Sequence, residues 1–141
     1  MKKILLICIV FLPLVGFCDT LDYWSVYVND SLIGEFTTES KDNEFEINYH
    51  EIKESDTLTI IYGNDHPCVK CEYYYLLKEM YTGHKTHVER RNEILQKVSF
   101  PLVKLRKYEP LREFAIYVSE INYTVNKNSH TQLIRLNLLI N

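Results

Sequence analysis

Pro67-Cys68-Val69-Lys70-Cys71 is the stretch whose residue types and spacing carry chemistry most directly. Two thiols three positions apart can close a local disulfide, exchange with other thiols, or supply two soft ligands to a metal. Each use demands a different surrounding. In an extended strand, Cα atoms three residues apart are roughly 10 Å distant, too far for a bridge. A Cys68–Cys71 disulfide therefore requires a turn, and Gly63-Asn64-Asp65-His66-Pro67 supplies turn residues immediately before it. This disulfide, pinning a loop between two strands, is the principal expectation.

The alternative is a redox-active Cys-x-x-Cys, with Cys68 as nucleophile and Cys71 as resolving thiol. It requires a thioredoxin-like α/β frame, in which a strand over 57–62 leads to a helix starting near Glu72 whose N-terminus lowers the first thiol's pKa. Metal binding is a further alternative. Cys68, Cys71, His84 and His87 follow a C-x2-C-x12-H-x2-H spacing, close to a zinc-finger pattern but with too few residues between the histidines. No Gly-rich phosphate loop and no second Cys-x-x-Cys accompany the motif. No cofactor is expected, and no nucleophile–base pair stands out, so a catalytic role is not the leading expectation.

Tyrosine is the other unusual residue. The chain has 11 of them, and three, Tyr73, Tyr74 and Tyr75, follow the cysteine pair directly. Tyrosine packs half-buried sheet surfaces and is also enriched in interfaces. Tyr73, Tyr74 and Tyr75 are thus the candidate binding residues.

The elements that would position these groups show a period of two. Trp24, Val26 and Val28 alternate with polar residues, and 32–38 follows across the Asn29-Asp30-Ser31 turn as a hairpin partner, with Gly34 at a bulge. Phe45, Ile47 and Tyr49 alternate with Glu44, Glu46 and Asn48. Residues 57–62 are β-branched and aromatic, as suits a central strand. Phe114, Ile116 and Val118 alternate again, and 132–140 is a β-like apolar run. Residues 71–82 fit helix or strand, with three tyrosines favouring strand, and 88–98 fits a short helix or a hairpin arm. Pro101 and Pro110 belong at edges or turns. The pattern predicts an all-β domain over 19–141, a mostly antiparallel β-sandwich of about seven or eight strands with room for one short helix.

Residues 1–18 stand apart. Lys2 and Lys3 precede an apolar run over 4–14, and Gly16 and Cys18 form a small-residue cleavage pattern, so a removed signal peptide is expected. The run is shorter than the ~20 residues of a membrane span, and no transmembrane helix is expected in the mature chain. Cys18 could alternatively carry a lipid anchor, although Phe17 is bulkier than a lipoprotein box favours. Export predicts a secreted or periplasmic location and an oxidising setting for Cys68 and Cys71.

Composition bounds the rest. The chain has 141 residues, 46% of them hydrophobic, which excludes a disordered chain and fits one domain. Losing Lys2 and Lys3 takes the formal charge from −3 to −5, unsuited to a phosphate backbone, so no nucleic-acid partner is expected. The expected partner is a protein or a cell-envelope component.

Overall fold

In the computed structural model, residues 21–65, 68, 70–91, 96–108, 113–123 and 127–139 are described. The expected signal peptide over 1–18, with Cys18, lies outside them, as does Pro110. Alternating apolar and polar residues put one face of each strand against a partner layer and the other into water. Two sheets satisfy that demand.

The strands are β1 (Asp22–Val28), β2 (Ser31–Thr37), β3 (Glu44–Asn48), β4 (Thr57–Asn64), β5 (Cys71–Glu79), β6 (Lys85–Arg91), β7 (Gln96–Pro101), β8 (Glu113–Asn122) and β9 (Lys127–Leu139). One sheet runs β2-β1-β4-β7 and the other β3-β9-β8-β5-β6. The fold is all-β and sandwich-like, as the periodicity predicts, with nine strands among the described residues. Among the described residues, the helical content is two short 3₁₀ segments, Tyr49–Glu51 and Leu102–Tyr108.

The core forms where the inward faces meet. Trp24, Val26, Leu58, Ile60 and Tyr62 of one sheet face Tyr75, Leu77, Phe114, Ile116, Ile134 and Leu136 of the other. Leu102 and Leu105 of the second 3₁₀ segment are buried at the margin. β4 lies between β1 and β7, as its dense β-branched sequence predicts. Pro101 ends the edge strand β7, where its missing N–H costs little.

Three ambiguous stretches resolve. Residues 71–79 form a strand, paired to β6 on one side and β8 on the other. Within the 88–98 stretch, 88–91 end β6, the hairpin arm of β5, and 96–98 open β7, while 92–95 lie outside the described residues; the described part is strand rather than helix. In the β1–β2 hairpin the register shifts beside Gly34, because Val26 pairs with Gly34 and Tyr27 with Leu32.

One feature departs from simple antiparallel order. β3 runs parallel to β9. The Asn43 side chain donates to Leu133 O at 3.0 Å, and Asn43 O accepts from Arg135 N at 3.0 Å. Arg135 then reaches Glu44 at 2.7 Å and Glu113 at 3.2 Å, tying β3, β9 and β8 together. No helix among the described residues is long and apolar enough to cross a membrane.

Candidate functional site

β5 places chemistry on both faces of its sheet. Its burial alternates strictly from Cys71 to Glu79. Cys71, Tyr73 and Tyr75 point inward, and Glu72 and Tyr74 point outward.

On the inner side, Cys68 and Cys71 lie at disulfide distance, with sulfurs 1.95 Å and Cα atoms 5.3 Å apart. The turn that permits this is closed by Cys71 N donating to Cys68 O at 3.4 Å. Two side chains of β8 approach the sulfurs. Asn122 Nδ2 is 3.2 Å from Cys68 Sγ, and Glu120 Oε1 is 3.3 Å from Cys71 Sγ. A disulfide sulfur carries no hydrogen, so the second approach is a contact of carboxylate with sulfur.

Tyrosines fill the space below. Tyr62 lies 6.3 Å from both Tyr73 and Tyr75, ring centre to ring centre, tilted to one and edge-on to the other. Tyr62 donates its hydroxyl to Asp22, across the β1–β4 pairing. Burial raises the Asp22 pKa, partly opposed by that hydrogen bond, while nearby Asp65 raises it further. Burial likewise raises the Tyr73 hydroxyl, and the Glu120 carboxylate adds to the rise. Tyr75 is fully buried, its pKa raised by burial, and its hydroxyl has no hydrogen-bond partner among the described residues.

On the outer side, Glu72 is a hub. Tyr74 donates to it at 2.7 Å, Tyr123 at 3.1 Å, and Arg90 pairs with it from β6. Those bonds hold the Glu72 carboxyl below the usual range, the Tyr74 bond contributing most. The bond to Glu72 pushes the Tyr74 hydroxyl up to about 12. Tyr123 and the Arg90 side chain remain 64% and 56% exposed, so the cluster presents an aromatic ring and a guanidinium to solvent.

The three tyrosines proposed as one binding surface are therefore divided. Tyr73 and Tyr75 are 3% and 0% exposed, because strand alternation turns them into the core. Tyr74 stays on the outer face and joins Glu72, Arg90 and Tyr123 instead.

The backbone sets the four residues of the metal reading far apart. Cys71 begins β5, whereas His84 lies past its far end, its carbonyl accepting from Glu79 N. A nine-residue strand spans about 26 Å between its end residues. His87 pairs with Leu77, about 20 Å along from Cys71. Both positions are thus remote from the thiols along the strand. The thioredoxin-like alternative is overturned. Cys71 is the first residue of a strand in an all-β fold, not of a helix whose N-terminus would stabilise a thiolate.

Glu72, Arg90, Glu120 and Tyr123 were missed as site residues. Glu120 had a signal: Phe114, Ile116 and Val118 set the inward phase of β8, and Glu120 falls next in that phase. Glu72, Arg90 and Tyr123 had none, because only cross-strand register brings them together. A separate groove of about 330 Å³ opens between β2 and β3, lined by Val28, Ile33, Phe45, Ile47, Ile52 and Leu102 among others. The chain matches no protein-family model, no curated protein and no solved structure.

Proposed function

We propose that the chain is an exported, non-catalytic binding domain whose partner is a protein or cell-envelope component. The Tyr74–Glu72–Arg90–Tyr123 cluster is the contact surface. The observation that carries this reading is the ordered exposure of Tyr123 and Arg90 around one carboxylate. Tyrosine and arginine dominate binding hot spots. Groups already held by hydrogen bonds lose less freedom on binding. The Cys68–Cys71 bridge supports the surface by fixing the entry to β5, and the oxidising compartment implied by residues 1–18 favours the bridge.

Two measurements test it. Mass spectrometry of the chain expressed in its host reads the leader: a mature N-terminus at Asp19 supports export, and a retained Met1 refutes it. Binding is read by immobilising the wild type, Tyr123→Ala, Arg90→Ala and, as a control on the opposite sheet edge, Glu46→Ala. A specific envelope partner should lose about tenfold or more in affinity with either cluster variant and be unaffected by Glu46→Ala. Equal retention by all four removes the cluster from the contact.

A further inference from the structure

We propose that Cys68, Cys71 and Glu120 form a redox-gated site for a thiophilic divalent cation of the zinc class, shut when the cysteines are bridged and open when they are reduced. Among the described residues, this is the one trio of His, Cys, Asp or Glu whose ligand atoms converge, all within 4.8 Å of one another. Zinc–sulfur bonds of about 2.3 Å and zinc–oxygen bonds of about 2.0–2.2 Å place ligand atoms roughly 3.5–4 Å apart in a tetrahedron. Once reduced, the sulfurs must part from their bonded distance to that spacing, which rotation of the two side chains allows because their Cα atoms stand 5.3 Å apart. Two residues between cysteines is a common ligand spacing for zinc, and the Cys68–Cys71 turn brings both side chains to one side.

The setting goes beyond what a staple needs. A loop disulfide gains nothing from a carboxylate against its sulfur, yet Glu120 Oε1 lies 3.3 Å from Cys71 Sγ. Glu120 occupies an inward position of β8, paired with Tyr73 of β5. Asn122 Nδ2 sits 3.2 Å from Cys68 Sγ, where it would donate to a metal-bound thiolate and hold it in place. Cys71 is buried, and Cys68 packs against the core, so the ligands stand on a fixed framework.

The gating is a balanced exchange. Two molecules of a low-molecular-weight thiol, or one dithiol, give two electrons and two protons to the disulfide and leave as their own disulfide. The Cys68–Cys71 motif then carries two thiols. On metal binding both protons go to solvent, and the cation meets two thiolates and the Glu120 carboxylate. A fourth position is left for water. While the bridge stands, the sulfurs have no thiolate to offer and the site cannot form.

The full chain with Cys8→Ser and Cys18→Ser, which leaves Cys68 and Cys71 as its two thiols, is reduced with a phosphine, freed of reductant without oxygen, and dialysed against Zn2+ and against Co2+. The expected result is one ion per reduced chain and none per oxidised chain, with cobalt producing near-ultraviolet sulfur-to-metal charge-transfer bands. Glu120→Gln should lower zinc affinity by at least about tenfold, with the far-ultraviolet dichroism of the wild type retained. If Glu120→Gln does not fold, Glu120→Asp keeps the charge but withdraws the carboxylate, and should weaken binding by a smaller factor. The proposal is overturned if the reduced wild type holds no ion, if the oxidised chain holds it equally, or if the foldable Glu120 variant binds as the wild type does.

Discussion

Opening the Cys68–Cys71 bridge tests how much the fold depends on it. The cysteines are three apart in sequence, so the bridge closes a ring of about four residues. In the chain-entropy account, a ring of that size removes about 6 cal/mol/K from the unfolded ensemble, or about 2 kcal/mol at room temperature. Reduction also gives Cys71 a hydrogen to donate toward Glu120 Oε1, 3.3 Å away, which returns part of the loss. The net cost should be about 1–2 kcal/mol. At a urea slope of about 2 kcal/mol/M, the midpoint should fall by about 0.5–1 M. The assay is equilibrium urea unfolding of the oxidised and phosphine-reduced wild type, followed by tyrosine fluorescence and dichroism, with a chelator present to exclude metals. A loss above about 4 kcal/mol would refute the reasoning, because ring closure alone cannot supply it. So would no loss at all.

Three further outcomes follow from buried polar groups. Tyr75→Phe should raise stability by about 1 kcal/mol, because the hydroxyl it removes is buried without a partner among the described residues; urea unfolding checks it. Asp22→Asn should stabilise at pH 7. The folded Asp22 pKa is raised, so its charged form costs stability that returns as pH falls, and the gain over wild type should vanish below pH 4. Glu79→Gln should lower the midpoint at neutral pH. The Glu79 carboxylate accepts from the Thr82 hydroxyl and from Thr82 N and Tyr81 N, the last two at 2.6 Å; burial works to raise its pKa, but these bonds, led by the Thr82 hydroxyl, together lower it. That stabilisation is present above the unfolded carboxylate pKa and lost as pH falls through the folded one. Wild type and variant should therefore converge in acid.

The period of two carries most of the architecture. Alternation at Trp24–Val28, Glu44–Tyr49 and Phe114–Ser119 locates β1, β3 and β8 directly, because a half-buried strand must alternate. The parallel pairing of β3 with β9 was hidden, since it depends on Asn43 and Arg135, 92 positions apart in the chain, finding one another. Helix and strand both fit 71–82 because Tyr73, Leu76, Leu77, Met80 and Tyr81 fall at helical spacing while Tyr73, Tyr75 and Leu77 alternate with Tyr74, Leu76 and Lys78; pairing on both sides of β5 decides for strand. In the site, the bridge was legible because a Cys-x-x-Cys after turn residues has few geometries open to it. The division of Tyr73, Tyr74 and Tyr75 was equally implicit once 71–79 is a strand, for consecutive residues cannot share a face. Arg90 and Tyr123 lie 18 and 51 positions from Glu72, and nothing local marks them.

β5 joins the two proposed sites, and this makes them separable. Glu72 and Tyr74 serve the outer cluster, while Cys71 and Tyr73 serve the inner corner, with side chains on opposite sides of one backbone. Glu120→Gln therefore leaves every hydrogen bond of the outer cluster in place, and Tyr123→Ala leaves the sulfur ligands in place. Partner affinity should follow the Tyr123 variant alone, and zinc affinity the Glu120 variant alone. Measured crosswise, each variant should show less than a twofold change in the other property. A Glu120→Gln chain that binds its partner about tenfold more weakly would show that the inner corner sets the shape of the outer face. Two short segments could carry that coupling, the start of β5 from Cys71 to Glu72 and the end of β8, where Glu120 and Asn122 lead to Tyr123.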